Sequence, residues 1–431
     1  MEALLLILSI LFVLLFGGFW VFGALGIAGL LGIILFGANW QFASAIQMWG
    51  TTNSFTLTAV PLFILLGEIM LRSGISASLY RGVMSWVGRV PGGLLHSNVI
   101  ACAVFAAISG SSVATAATIG RVAIPEQEAR QYDRGLILGS IAASGTLGIL
   151  IPPSISMIIY GAWMEVSIAR LFIGGVVPGV MLSLLFIGYI GVRTALNPAL
   201  APATSSSWRE RAHSIIDVGP SLTIVLFIIL AIYTGLMTPT ETAAVASAFA
   251  FVVTAVLGKF SFKLVYDCAF SAVCTTVKLM LIVVGAQIFV MFLVYSGVAS
   301  LMTSLLVGYD LSPLMVLVFI YVVYLILGCF FDAISLLMVT LPFAAPIVNT
   351  LGIDPIWFGV VITVLLGVGH ITPPIGMNLY VLLGITEDCT LQEIVKSVIP
   401  FFLLLLLGVV LMNVFPELVL WLPRTMLDVA N

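Results

Sequence analysis

Runs of about twenty apolar residues, each long enough to cross the ~30 Å hydrocarbon layer of a bilayer, recur from one end of this chain to the other. Nothing else in the sequence restricts the fold as strongly. With 62% hydrophobic and 8% charged residues in 431, the chain has too little charge to cover the surface of a soluble domain. The runs lack the ten-residue alternation of a lipid-facing β-barrel, so the sequence describes an all-α polytopic membrane protein. Crossings are predicted at 3–18, 20–36, 55–72, 135–164, 168–193, 217–235, 240–258, 279–296, 357–384 and 398–420. Two further apolar stretches, 94–124 and about 314–348, are too long for one crossing and carry small or polar residues midway.

Charge orients these crossings. With the N-terminus outside, thirteen of the fifteen Lys and Arg fall on one face, and only Arg170 and Arg424 on the other. The positive-inside tendency makes the thirteen cytoplasmic and both termini periplasmic. That holds only if 94–124 and 314–348 each enter and leave on the same side. Both are therefore predicted re-entrant hairpins, although the second could be two short crossings of the same parity. The expected layout is N-terminal scaffold helices in 1–54, a first repeat in 55–197, a cytoplasmic linker in 198–214, a second repeat in 215–421 and a tail in 422–431. Segments 75–90 and 259–278 mix apolar and basic residues and are expected to lie as arms on the cytoplasmic interface, bracing the scaffold; 40–53 is a further surface-lying segment. No basic flank precedes the first apolar run, so no cleaved signal peptide is read. A net charge of −3 without a basic or acidic tail gives no sign of nucleic acid as a partner. Five cysteines without a CxxC pair suggest neither a disulfide framework nor a thiolate metal site.

Two of the crossings contain paired prolines, GILIPPSISM (148–157) and GHITPPIGMN (369–378). A proline inside a helix costs about 3 kcal/mol, and lipid cannot satisfy the carbonyls it frees. The two segments are 221 residues apart, and the same offset carries Pro125 onto Pro346. Nearby offsets pair SGIS (73–76) with SGVA (296–299) and Gly88 with Gly308. These matches indicate an internal duplication. Five predicted crossings separate Arg72 from Ser296, an odd number, so the second copy is inverted. Inverted repeats with helices interrupted at matching positions mark secondary transporters. Unwound carbonyls and half-helix C-termini suit a cation there, and half-helix N-termini suit an anionic substrate.

The hairpins supply the matching side chains. In ACAVFAAISGSSVATAATIG (101–120), fifteen of twenty residues are Ala, Gly, Ser, Thr or Cys, which permits close packing in lipid. Its tip, Ser109 to Ser112, would lie beside the break at Gly148–Pro153. In LGCFFDAISLLMVTLPFAAP (327–346), the offset places Asp332 where the first hairpin has Ser111. A carboxylate within an apolar span is expensive and usually functional; it either helps attract a cation or caps the following half-helix. The cation is read as sodium, because no chain of buried carboxylates and histidines suggests a proton relay. His370 is the nearest exception, and a neutral imidazole bonded to a loop carbonyl is expected there.

Other classes fit less well. There is no GxxxxGK[ST] phosphate loop for a primary pump. An enzyme would need HExxH or a base near the serines at 109–112, and a channel would need a continuous polar pore.

SGSSVATAATIG, IPPSISMIIYG, TPTETAAVAS (238–247), GCFFDAIS and GHITPPIGMN resemble, in the same order and over nearly the whole chain, the large membrane subunit (DctM/SiaM type) of TRAP transporters, the tripartite ATP-independent periplasmic transporters. The resemblance implies sodium-gradient-driven symport of a small organic acid across a bacterial inner membrane by an elevator mechanism. It implies two partners, a periplasmic substrate-binding protein and a small four-helix membrane subunit, the latter expected as a separate polypeptide. It also implies two sodium sites. The first would use Ser109, Ser111 and Ser112 with Gly145, Gly148 and Ile151. The second would use Gly328, Asp332, Gly369, Thr372 and Met377, largely through backbone oxygens. Substrate is expected between the hairpin tips, near Ser112, Ser154, Ala333 and Asn378. No arginine stands out there to clamp a carboxylate, which leaves hydroxyls, amides, helix ends or a loop arginine. A single-component sodium-coupled anion or dicarboxylate symporter is the alternative.

Overall fold

The computed structural model describes residues 2–36, 41–88, 90–202, 207–297 and 312–426. Gly308, residues 298–299 of the SGVA match, 203–206 of the linker and 427–431 of the tail lie outside the described residues. Among the described residues every regular element is a helix, and seven helices are long and apolar enough to cross a membrane. The chain is thus an all-helical, polytopic membrane protein.

The chain opens with α1 (Glu2–Phe16), α2 (Val21–Phe36), α3 (Gln41–Thr52), α4 (Ala59–Arg72) and α5 (Ile75–Val87). Next comes a helix–turn–helix hairpin, α6 (Leu94–Ser109) and α7 (Ser112–Ala129), and an interrupted helix, α8 (Arg134–Gly145) and α9 (Ile155–Met164). Four long helices follow: α10 (Ile168–Leu196), α11 (Trp208–Tyr233), α12 (Pro239–Val256) and α13 (Phe262–Tyr295). The second hairpin is α14 (Pro313–Gly328) and α15 (Ala333–Thr350), and the second interrupted helix is α16 (Pro355–His370) and α17 (Met377–Ile385). α18 (Leu391–Val414) and α19 (Glu417–Arg424) close the chain.

The 221-residue offset carries the bounds of α7 onto those of α15, and the first residue of α8 onto that of α16. The caps obey it too. Asp133 accepts the Leu136 N–H at 2.8 Å, and Asp354 accepts those of Ile356 and Trp357 at 2.8 and 3.1 Å. Each carboxylate satisfies donors that a helix start leaves open.

Two expectations change. The arm at 259–278 and the crossing at 279–296 are parts of one helix, α13, whose 34 residues span roughly 50 Å at ~1.5 Å each. No proline interrupts 262–295, so propagation wins over the change in polarity. Gly285 lies against the Phe22 backbone, and Gly29 against Phe289, which lets α2 and α13 approach closely without a hydrophobic drive between them. The linker also ends earlier than read. Ser207 and Glu210 form a capping box, so the chain is helical from Trp208.

α5 does more than brace a scaffold. It packs against α11 on one side and the base of the first hairpin on the other. Gln127 donates to Tyr80 Oη at 2.7 Å and Asn98 Oδ1 at 2.6 Å, and Asn98 donates to Ser140 Oγ at 2.9 Å. All four side chains are buried. A satisfied network in a low-dielectric interior fixes relative position, and this one ties α5, α6, α7 and α8 together.

Candidate functional site

The first hairpin turns at Gly110, whose φ of +61° suits a residue without Cβ. Ser111 then caps α7 by accepting the Ala114 N–H at 3.4 Å. The turn gathers oxygens: Ser109 Oγ lies 2.8 Å from Thr115 Oγ1, which donates to the Ser111 carbonyl, also at 2.8 Å. Opposite this tip, α8 tightens into a 3₁₀ turn over Thr146–Ile149 before the chain breaks. Gly148 is what permits the approach, because a Cβ there would sit 2.5 Å from the Ser111 carbonyl oxygen and 2.6 Å from Thr115 Oγ1. Gly145 is held the same way, with Ala116 and the Asn378 amide against it. The structure thus brings together Ser109, Ser111, Ser112, Gly145 and Gly148. The Ile151 side chain turns away onto Gly179 of α10, so only its backbone remains to serve the break.

At the second tip, Asp332 Oδ2 accepts the N–H groups of Ile334 and Ser335 at 3.1 and 3.2 Å. The carboxylate is therefore the cap of α15, one of the two roles its position allowed. Gly328 and Gly369 meet, with a Cβ on Gly369 falling 2.7 Å from the Gly328 carbonyl oxygen. Thr372 Oγ1 donates to Val368 O at 2.6 Å, and as an acceptor it retains lone pairs. The paired prolines of both breaks, Pro152–Pro153 and Pro373–Pro374, are joined by cis peptide bonds.

Asn378, at the start of α17, reaches the first tip. Its amide donates to Ser112 Oγ and to Ala142 O, each at 2.9 Å, and the side chain is fully buried. Asn378 therefore holds the first tip against the second interrupted helix. Ser154 is also buried, its Oγ bonded to Ile149 O and capping α9. It does not line the space between the tips; Ser156 does. The expectation for His370 is corrected as well. Neither ring nitrogen has a hydrogen-bond partner among the described residues, because α16 stays helical through His370 and the break carbonyls begin beyond it.

Between the tips lies a cleft of about 340 Å³. Ser109 to Ser112, Asp332, Ala333, His370 and Met377 border it, together with Gly67, Glu68 and Leu71 of α4 and Thr275 and Leu279 of α13. Thr115, Ser156 and Thr275 escape a reading of the sequence, because single hydroxyls in apolar helices carry no spacing signal. Only the periodicity of α7 could have pointed to Thr115, four residues past Ser111. The cluster of Ser109, Ser111 and Thr115 oxygens, packed against Gly148, has the donor chemistry for a hard monovalent cation. Among the described residues no group of three His, Cys, Asp or Glu side chains exists to hold a metal of higher charge.

Comparison with known proteins gives a consistent result. The family described as the DctM component of tripartite ATP-independent periplasmic transporters matches residues 8–418. The chain is 35% identical over 404 residues to the C4-dicarboxylate TRAP transporter large permease protein DctM of Pseudomonas aeruginosa, covering 93% of this chain and 94% of that protein. It is 33% identical to the sialic acid TRAP transporter large permease protein SiaM of Vibrio cholerae, covering 89% and 90%. Among solved structures, the YdaH transporter of Alcanivorax borkumensis superposes with a TM-score of 0.65 over 88% of this chain and 89% of that one. At 17% identity that likeness concerns the fold alone.

Proposed function

Because this chain belongs to the DctM family of tripartite ATP-independent periplasmic transporters, we propose that it is the large permease of a sodium-driven organic-acid symporter in a bacterial inner membrane. It is a transport protein and not an enzyme. The observation that carries the reading is the single cleft bounded by both hairpin tips and by residues of both interrupted helices. An ion held by the Ser109–Ser111–Thr115 oxygens and an acid held at the α7 N-terminus would sit within a few residues of each other. Positive charge at the first site favours the acid, and the helix dipole at Ser112 adds to it. A second ion near Gly328, Gly369 and Thr372 would offset the Asp332 carboxylate.

In this reading the two copies are inverted relative to each other, and the hairpins are re-entrant. Hairpins and interrupted helices move as a unit against α2, α4 and α11 to α13, carrying the cleft from the periplasmic to the cytoplasmic side. A periplasmic binding protein delivers the acid, and a small four-helix membrane subunit completes the system. The substrate is one of the acids this family's relatives are named for, a C4-dicarboxylate or a sialic acid among them; relatives of nearly equal identity carry different names, so identity does not choose.

The test is uptake of labelled succinate, N-acetylneuraminate and gluconate into proteoliposomes holding this chain and its small partner. Each acid is offered with and without an inward sodium gradient, and with and without the binding protein. Uptake that requires both supports the tripartite symporter. Uptake without the binding protein identifies a single-component carrier, and flux indifferent to sodium overturns the ion sites.

A further inference from the structure

The cleft poses an electrostatic problem for an acid. Its two lining carboxylates, Glu68 and Asp332, both oppose an anion, and no Lys or Arg is among its lining residues. The nearest remedy is one turn along α4. Arg72 follows Leu71, which lines the cleft, and its Nε donates to Glu68 Oε2 at 2.8 Å. The Glu68 side chain is 19% exposed and that of Arg72 is 40% exposed, so the cation is the more open member of a pair whose carboxylate lines the cleft. Lys259 Nζ approaches Gly74, two residues further on, and adds positive potential; Asp267 of α13 acts on Arg72 from the opposite sign.

We propose that Arg72, tethered by Glu68, is a subsite that receives the carboxylate of the transported acid as it leaves the cleft for the cytoplasm. The proposal rests on the transport reading above. A guanidinium presents five donors in a planar fork and can engage a second carboxylate along its Nη edge. Glu68 thus acts as a resident anion that holds the fork at the rim and competes with the acid for it. The cytoplasmic placement follows from charge, since Arg72 belongs to the basic face of the chain. The bland account is an i,i+4 pair at a helix C-terminus, where a cation suits the dipole.

The two accounts differ in sign. If the pair only stabilises α4, removing Arg72 does not weaken acid binding, and removing Glu68 only relieves repulsion in the cleft. If Arg72 receives the acid, its removal weakens binding, while removal of Glu68 strengthens it. Binding of succinate, N-acetylneuraminate and gluconate to the full-length chain in detergent, in sodium chloride, is measured by calorimetry for wild type, Arg72→Gln, Arg72→Lys and Glu68→Gln. For the acid that wild type binds, Arg72→Gln is expected to weaken binding about tenfold, the scale of one charge-assisted hydrogen bond. Arg72→Lys should recover part of it, and Glu68→Gln should tighten it about threefold. Half-saturation by sodium alone, read by thermal unfolding, should stay unchanged in the two Arg72 variants, which also reports folding. Acid binding that is unchanged or tighter in Arg72→Gln overturns the subsite and leaves the transport reading intact. Wild type binding none of the acids, with no uptake in proteoliposomes, overturns the transport reading and the subsite with it.

Discussion

At the first break Pro152 and Pro153 are buried, whereas the equivalent Pro373 and Pro374 are exposed. The tips facing them differ in the same sense. The first is a cluster of neutral hydroxyls, and the second carries the carboxylate of Asp332 beside an imidazole with no partner among the described residues. Yet the bounds of α7 and α15 and the starts of α8 and α16 coincide at one offset, down to the capping Asp133 and Asp354. Matching sequence motifs therefore set the same helix starts twice, while the surroundings decide the chemistry at each break. Under the proposed mechanism, the buried break suits a rigid ion site, and the exposed break suits a site that must release what it holds.

The largest effect should come from filling the close approach at the first break. Gly148→Val places atoms into the Ser111 carbonyl and Thr115 and should cost about 3 kcal/mol by overpacking, with loss of uptake. The same change at Gly384, where nothing lies within 4 Å, should leave both unaffected; equal thermal unfolding of the two variants would erase the contrast. Asn378→Ala removes the bonds joining the copies and strands Ser112 Oγ, at about 2 kcal/mol for the buried polar groups left unsatisfied. A lower unfolding midpoint with weaker sodium protection is the expected readout.

Asp332→Asn separates charge from capping, because Asn caps nearly as well as Asp. Stability should change by less than about 1 kcal/mol while uptake falls clearly. Normal uptake would confine Asp332 to its role at the start of α15. The smallest effect is expected of Thr372→Ala, which should raise the sodium concentration for half-maximal uptake about threefold, as one of several oxygens is lost. An unchanged sodium dependence would count against a second site at Thr372.

Much of this was legible in the residues. Paired prolines and the offset locate both breaks, because a helix breaker inside an apolar run leaves a strong mark. The hairpin tips were legible through SGSS and through a carboxylate where only apolar residues belong. Side-chain direction was not. Ser154 and Ser156 differ by two positions in one helix start, and only the cap geometry tells which faces the cleft. Glu68 and Thr275 belong to α4 and α13, two helices far apart in the chain that pack against each other, and sequence spacing gives no measure of that meeting. His370 was read as satisfied because most buried histidines are; the extent of α16 decides otherwise.

The central claim is that ion and acid meet in the cleft between the two tips. With the five native cysteines replaced, Ala114→Cys on the first tip and Met377→Cys beside the second should each react with a thiol reagent, since both positions line the cleft. Sodium together with a transported acid is predicted to slow labelling at both positions. Labelling at either position that is indifferent to sodium and acid would contradict a shared site.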